Sequence, residues 1–278
     1  MGLLLDSLSA RGPYWPTRPG LLPGQPVDVP SKISNAKLAE PIRSDRFHGE
    51  SGDVMNTPRS DLAAQTRSAR LYVDPVSPYA WFYLRQLHRL PAELSVEVVP
   101  VLFGAILGHW GQLGPAEISG KRLHTYHHCV WVARQLDVPF RMPPRHPFNP
   151  LKALRLLAAL DNRLDAVIAT ASFVFEHGRD PEQDFEGLCA HLGVDGGEAL
   201  IADPVVKDRL RKQTEQAIAA GVFGVPTLVC DGHLFWGVDT IDWFNAYWRD
   251  PGMFEREDMA RASLTGAGVQ RRVAPVAN

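Results

Sequence analysis

Ser77 is the side chain with the most chemical scope in this chain. It stands where a short apolar run, Arg70–Asp74, gives way to Pro78 and a helical pattern. Proline suits the first turn of a helix, so the Ser77 hydroxyl lies beside helix-opening N–H groups and their partial positive charge. A thiol at such a place has its pKa lowered. With serine there, the corner has no thiol to oxidise and cannot exchange disulfides, but the hydroxyl can donate a hydrogen bond to a thiolate carried in by a ligand. The plainer reading, a helix cap ahead of proline, uses the same hydroxyl.

Two further segments could share that corner. Phe223-Gly224-Val225-Pro226-Thr227 reads as a turn feeding a strand. Only about 5–6% of X–Pro bonds are cis; if this one is, the N–H and C=O of Val225 are free to pair with a peptide-like ligand as an added strand would. Gly237-Val238-Asp239-Thr240 opens the last helical pattern. Asp239 can cap that helix or offer its carboxylate to an ammonium group, and the free N–H groups of the helix start can hold a carboxylate. Trp110 and Phe148 flank the first inserted helix, where they are core or wall a pocket above Ser77. His127 and His128 are adjacent, so they cannot both face one ion, and no metal site is expected.

The elements that must position these residues are legible from periodicity. Leu71-Tyr72-Val73 is a buried-strand run, Tyr79, Phe82, Tyr83, Gln86, Leu87 and Leu90 recur at helical spacing, and Ser95–Leu102 reads as a second strand. That β-α-β unit has a right-handed crossover. About a hundred residues then read as helical: Leu123, Tyr126, Val130 and Ala133 at three-to-four spacing, Leu151–Leu160, Ala166–His177 and Pro181–Leu192. Asp203-Pro204 starts another helix as cap and first residue, carrying Val206, Leu210 and Ala217 to a stop at Gly221. Asp231-Gly232 between two short strands is a hairpin turn, and a last helix carries Ile241, Phe244 and Trp248. Together these elements outline an α/β, thioredoxin-like half-sheet with an all-helical domain inserted between the second and third strands. The expected domains are 67–102 with 204–262 for the sheet unit and 103–203 for the insertion. Residues 1–66, with eight prolines and no apolar period, are expected to be a disordered extension, and 263–278 a flexible tail. Met55, just ahead of the first strand, is an alternative start of translation.

Composition narrows the partners. The 278 residues are 45% apolar and 22% charged, with a net charge of −2 and no run of lysine and arginine, which argues against nucleic acid or an anionic membrane and for a small-molecule partner. Cys129, Cys189 and Cys230 are widely spaced and odd in number, which fits a reducing compartment, read here as the cytoplasm. Nothing in the chain reads out its oligomeric state; a homodimer, the commonest soluble assembly, stays open.

With Ser77-Pro78-Tyr79, the helical insertion, Phe223–Thr227, the hairpin and Trp236-Gly237-Val238-Asp239 in that order, residues 70–250 resemble the 2-hydroxychromene-2-carboxylate isomerases. These belong to the DsbA-like family, beside the kappa-class glutathione transferases. The resemblance implies glutathione as cofactor. Ser77 would hold and activate its thiolate, Val225 beside Pro226 would pair with the tripeptide backbone, and Gly237, Val238, Asp239 and Thr240 would bind the γ-glutamyl end. It also implies substrate contacts at Lys121 and Asn149, and a reaction in which thiol addition to a conjugated compound, bond rotation and thiol expulsion isomerise a double bond. Two alternatives stand beside it: a kappa-like transferase, and a non-catalytic glutathione- or peptide-binding protein. The chain departs from the family at Val238, where asparagine is common, and across Ala105–Trp110, where the naphthalene-pathway enzymes place a lysine.

Overall fold

The computed structural model describes residues 67–269. The proposed extension 1–66, with Met55, and the end of the tail, 270–278, lie outside the described residues.

β1 (Ser68–Val73) and β2 (Ser95–Pro100) run parallel, joined through α1 (Pro78–Leu84). α1 ends sooner than the spacing of Gln86, Leu87 and Leu90 suggests, and a short 3-10 turn carries Leu87 into the core. The chain then passes through α2 (Phe103–Trp110), α3 (Ser119–Leu136), α4 (Leu151–Ala159), α5 (Leu164–Phe175), α6 (Phe185–His191), α7 (Gly197–Ala202) and α8 (Pro204–Ala219). It returns to the sheet as the antiparallel hairpin β3 (Thr227–Cys230) and β4 (His233–Trp236), followed by α9 (Ile241–Arg249) and α10 (Glu257–Ser263). The strand order is β2-β1-β3-β4, with β1 antiparallel to β3. This is the thioredoxin-like α/β arrangement, with the helices interposed between the second and third strands. Asp231 and Gly232 turn the hairpin at φ 51° and 81°, the left-handed conformation a two-residue turn of this hand requires.

Strand alternation gives the sheet two apolar faces. Leu71, Val73, Val96, Val98, Leu228 and Phe235 pack with α1, α5 and α9. Tyr72, Val99 and Val101 pack on the other side against Ala217 of α8 and Ile106 of α2. Helices α3 to α6 contribute to the same core as the first face, so the insertion shares the interior of the sheet. Of the apolar stripe read on α3, Ala133 is buried and Tyr126 half-buried, but the inward face is rotated from the one expected. Leu123 and Val130 are exposed, while Cys129, Val132 and Ala133 are buried. The cause is that α3 spans a cavity wall, and the polar residues His128 and Thr125 share its inward side.

The start of α8 follows its sequence signature: the Asp203 carboxylate accepts the Val205 N–H at 2.8 Å and Pro204 occupies the first turn. Asp203→Ala is expected to lower stability by about 1 kcal/mol in urea unfolding, with the slope of the transition unchanged. A change in that slope instead would mean the cap influences compactness beyond its own helix.

Candidate functional site

The site is built around the turn between β1 and α1. Asp74 leaves the β1 ladder and is completely buried. Its two carboxylate oxygens accept the N–H groups of Val76 and Phe103, each at 2.9 Å. The Ser77 N–H closes the turn onto the Asp74 carbonyl at 2.9 Å. One carboxylate thus ties the turn to the first residue of α2. Burial, against the pull of the two N–H groups, pushes the Asp74 carboxyl up to about 7.

Val76 is gripped from its other side as well. His146 Nε2 lies 2.7 Å from the Val76 carbonyl, which can only accept, so Nε2 carries a proton. Tyr126 sits over the same ring, with its hydroxyl 2.9 Å from Nδ1 and donating to the His146 carbonyl at 2.6 Å. Burial lowers the His146 pKa and favours the neutral ring. With N–H held by Asp74 and C=O held by His146, the peptide before Ser77 has little freedom.

Ser77 caps α1, accepting the Ala80 N–H at 3.4 Å, and donates to the Val225 carbonyl at 3.3 Å. The Val225–Pro226 peptide is cis, and so is His146–Pro147. The sequence reading left both Val225 backbone groups free; the structure engages the carbonyl with Ser77 and leaves the N–H without a backbone acceptor among the described residues. Gly237 follows β4 at φ 97°, and a Cβ there would come within 2.6 Å of an Asp239 carboxylate oxygen, so glycine is needed for the turn. Val238–Thr240 form a 3-10 turn, and α9 starts only at Ile241. Asp239 therefore does not cap α9, which is also not the last helix, since α10 follows it. The N–H groups of Val238 and Asp239 also lack backbone acceptors among the described residues.

A cavity of about 910 Å³ opens over this corner. Of the residues singled out from sequence, Ser77, Phe148, Asn149, Val225, Pro226, Gly237, Val238 and Asp239 line it. Three do not. Trp110 ends α2 and donates its indole N–H to the Val222 carbonyl at 2.9 Å, so it braces α2 against the loop before β3 instead of walling the cavity. Lys121 lies on the exposed first turn of α3, outside the lining. Thr240 spends its hydroxyl on the Gly237 carbonyl at 2.8 Å and stays behind the rim.

Other lining residues were given no site role from the sequence. Tyr79 and His128 meet inside the cavity, the hydroxyl 2.8 Å from Nδ1, and Trp131 and Trp236 add aromatic surface. A signal existed for the α3 residues: Thr125, His128 and Trp131–Val132 repeat at the spacing of one helix face. Asp74 and His146 gave less warning, since their partners are backbone groups brought close only by folding.

The cysteines stand back from the cavity surface, although Cys129 lies against the Tyr79 hydroxyl. All three are free and buried, and none lines the cavity. Burial pushes the Cys129 thiol up to about 12 and Cys230 up to about 11, so both stay protonated. Among the described residues no cluster suited to a metal ion occurs and no helix is long and apolar enough to cross a membrane.

The sheet order, the interposed helices and a cis-proline facing the first helix mouth define a protein of thioredoxin-like type. The family model for the DSBA-like thioredoxin domain matches residues 70–271, and the chain belongs to that family. It is 25% identical over 195 residues to a 2-hydroxychromene-2-carboxylate isomerase of Sphingobium xenophagum, covering 66% of this chain and all of the relative. It is 26% identical over 199 residues to human glutathione S-transferase kappa 1, covering 63% of this chain and 88% of that one. In structure it is similar to a solved 2-hydroxychromene-2-carboxylate isomerase, with a TM-score of 0.56 and 19% identity over 72% of this chain and all of the other.

Proposed function

We propose that this protein is a glutathione-dependent isomerase of the 2-hydroxychromene-2-carboxylate isomerase type, acting on an aromatic-degradation intermediate or a similar conjugated carbonyl compound. The observation that carries the reading is Ser77 Oγ, 3.3 Å from the Val225 carbonyl at the floor of a large cavity that no cysteine lines. A protein with no thiol at this corner can work on sulfur only by borrowing it.

The residues suit the tripeptide. The unpaired N–H of Val225 offers a strand-like contact to its backbone, and the Val238 and Asp239 N–H groups offer a seat for the γ-glutamyl carboxylate. The Asp239 carboxylate, caps nothing and lines the cavity, which leaves it for the ammonium group. When bound, glutathione would supply the thiol that adds to the conjugated system and leaves again after rotation. Ser77 would turn its proton from the Val225 carbonyl toward that sulfur, stabilising the anion by a charge-assisted hydrogen bond. Asp74 and His146 would hold the turn so that the hydroxyl points consistently. Three unpaired, buried cysteines and a glutathione requirement fit a reducing, cytoplasmic setting.

Calorimetry with glutathione and with S-methylglutathione tests the thiolate site. Binding of the free thiol should be at least ~10-fold tighter, the equivalent of about 1.4 kcal/mol. Equal binding of both would leave a passive peptide groove. Product analysis then separates the isomerase from a kappa-like transferase, since an isomerase returns glutathione free and a transferase consumes it.

A further inference from the structure

The cavity has a second polar feature, remote from the sulfur position in character though not in space. Tyr79 lies two residues after Ser77, on the first turn of α1, and its hydroxyl meets His128 Nδ1 of α3 at 2.8 Å. His128 is backed by Trp131, ring centroids 5.7 Å apart and near parallel, and by His124 at 6.2 Å. Around this pair the wall is apolar: Phe103, Leu107, Trp131, Phe148 and Trp236 line the same cavity. Asp239 and Glu117, the aspartate and glutamate that line it, are both acidic. Such a wall suits a flat aromatic ring, and with Asp239 given to the glutathione ammonium group the Glu117 carboxylate remains to repel an anion.

We propose that Tyr79, oriented by His128, is the catalytic hydrogen-bond donor to the carbonyl oxygen of the substrate, and that the substrate is an uncharged aromatic α,β-unsaturated carbonyl compound. When His128 carries its proton on Nδ1, it donates to the Tyr79 oxygen, and the tyrosine proton can turn from Cys129, which lies against the same hydroxyl, into the cavity. Burial raises the Tyr79 pKa, so the hydroxyl remains a donor at neutral pH. Glutathione, when bound, would supply a thiolate whose sulfur bonds to the β-carbon of the substrate, so that the alkene pair would shift toward the carbonyl and the carbonyl pair onto oxygen. The Tyr79 hydroxyl meets that developing charge. When the carbon–sulfur bond breaks, the pairs return, the double bond reforms in its new geometry, and the proton remains with Tyr79.

This inference rests on the reading of the cavity as a glutathione site, so its test reads carbonyl recognition apart from turnover. The probe is 4-phenylbut-3-en-2-one, labelled with carbon-13 at the carbonyl, with difference infrared spectra recorded on wild type, Tyr79→Phe and His128→Gln. Wild type should shift the carbonyl stretch to lower wavenumber; Tyr79→Phe should lose the shift, and His128→Gln should weaken it. Tyr79→Phe keeps the ring that packs on Phe82, and matching thermal unfolding would show that its fold is intact. Addition of a ring carboxylate to the probe should weaken binding at least ~10-fold. In the glutathione-loaded protein, Tyr79→Phe should lower kcat ~100-fold, the scale of one lost oxyanion donor. An unshifted carbonyl in wild type, the same shift in Tyr79→Phe, or tighter binding of the carboxylate probe would overturn the inference. Glutathione titrations on the same samples keep the two readings distinct. If glutathione binds but the shift does not depend on Tyr79, this inference alone fails; if the shift depends on Tyr79 but glutathione does not bind, only the glutathione reading fails.

Discussion

Ser77→Ala is expected to raise the pKa of protein-bound glutathione by about 1–2 units and to slow turnover at neutral pH by up to ~100-fold. A hydrogen bond to a charged acceptor contributes about 1.5–3 kcal/mol, and each pKa unit corresponds to about 1.4 kcal/mol. The Ser77 hydroxyl is at the mouth of α1 and has the Val225 carbonyl at 3.3 Å as its other acceptor, so it has a proton to redirect. The rate should recover as pH rises, because the thiolate then forms without help. Ultraviolet titration of the bound thiolate checks this directly. A titration midpoint identical in wild type and Ser77→Ala would remove the hydroxyl from the chemistry and leave it as the cap of a short helix, worth about 1 kcal/mol of stability.

The second large effect concerns Asp74. Its carboxyl is fully buried, and burial pushes its pKa up to about 7, well above the ordinary carboxylate range. The folded protein therefore keeps a proton that the unfolded chain has released. The stabilising contribution is fully present below the unfolded value near 4 and is lost as pH rises to the folded value near 7. Asp74→Asn removes that titration. It also presents an amide NH2 to one of two N–H donors, Val76 or Phe103, a mismatch that costs about 1–3 kcal/mol. The stability advantage of wild type over Asp74→Asn should accordingly shrink between about pH 4 and pH 7, by an amount on the order of 4 kcal/mol. Urea unfolding of both proteins across that range measures it. A stability gap that stays constant with pH would show that Asp74 does not change its protonation on folding.

The contrast between these two residues explains what could be read in advance. Ser77 is followed immediately by Pro78, and a proline at a helix start is a local steric fact that needs no partner to be recognised. Asp231-Gly232 and Asp203-Pro204 are legible for the same reason: the turn and the cap are satisfied within a few residues, at φ values and hydrogen bonds the local chain supplies. Asp74 looks from sequence like the end of a strand. Its role depends on Phe103, which arrives from beyond β2. His146 depends in the same way on Val76, seventy positions earlier.

The inserted helices show where periodicity misleads. Leu151–Leu160 packs both on the main core and against α8, and its helix is found within a residue of expectation as α4. In α3 the apolar residues Leu123 and Val130 suggested an inward face, yet the helix turns His128 and Thr125 toward the cavity and leaves those two exposed. Trp110, read as core or pocket wall, and Lys121, placed by the family resemblance, both fall outside the cavity lining. The length of a loop does not say which way the next helix is rotated when it packs.

The chain alone determined its four strands and most of its helices, though not α2, α7 or α10, together with its hairpin, the caps of α1 and α8, and a serine where a helix begins, because each is an outcome of steric and hydrogen-bonding rules acting within a few residues. The tertiary structure decided which distant groups gather about that serine: the Val225 carbonyl, the hold of Asp74 on Phe103 and of His146 on Val76, and the meeting of Tyr79 with His128. Those contacts join segments 29 to 148 residues apart, and their geometry follows from how helices rotate to bury apolar surface on a shared core, a competition among all the faces at once that no single segment resolves.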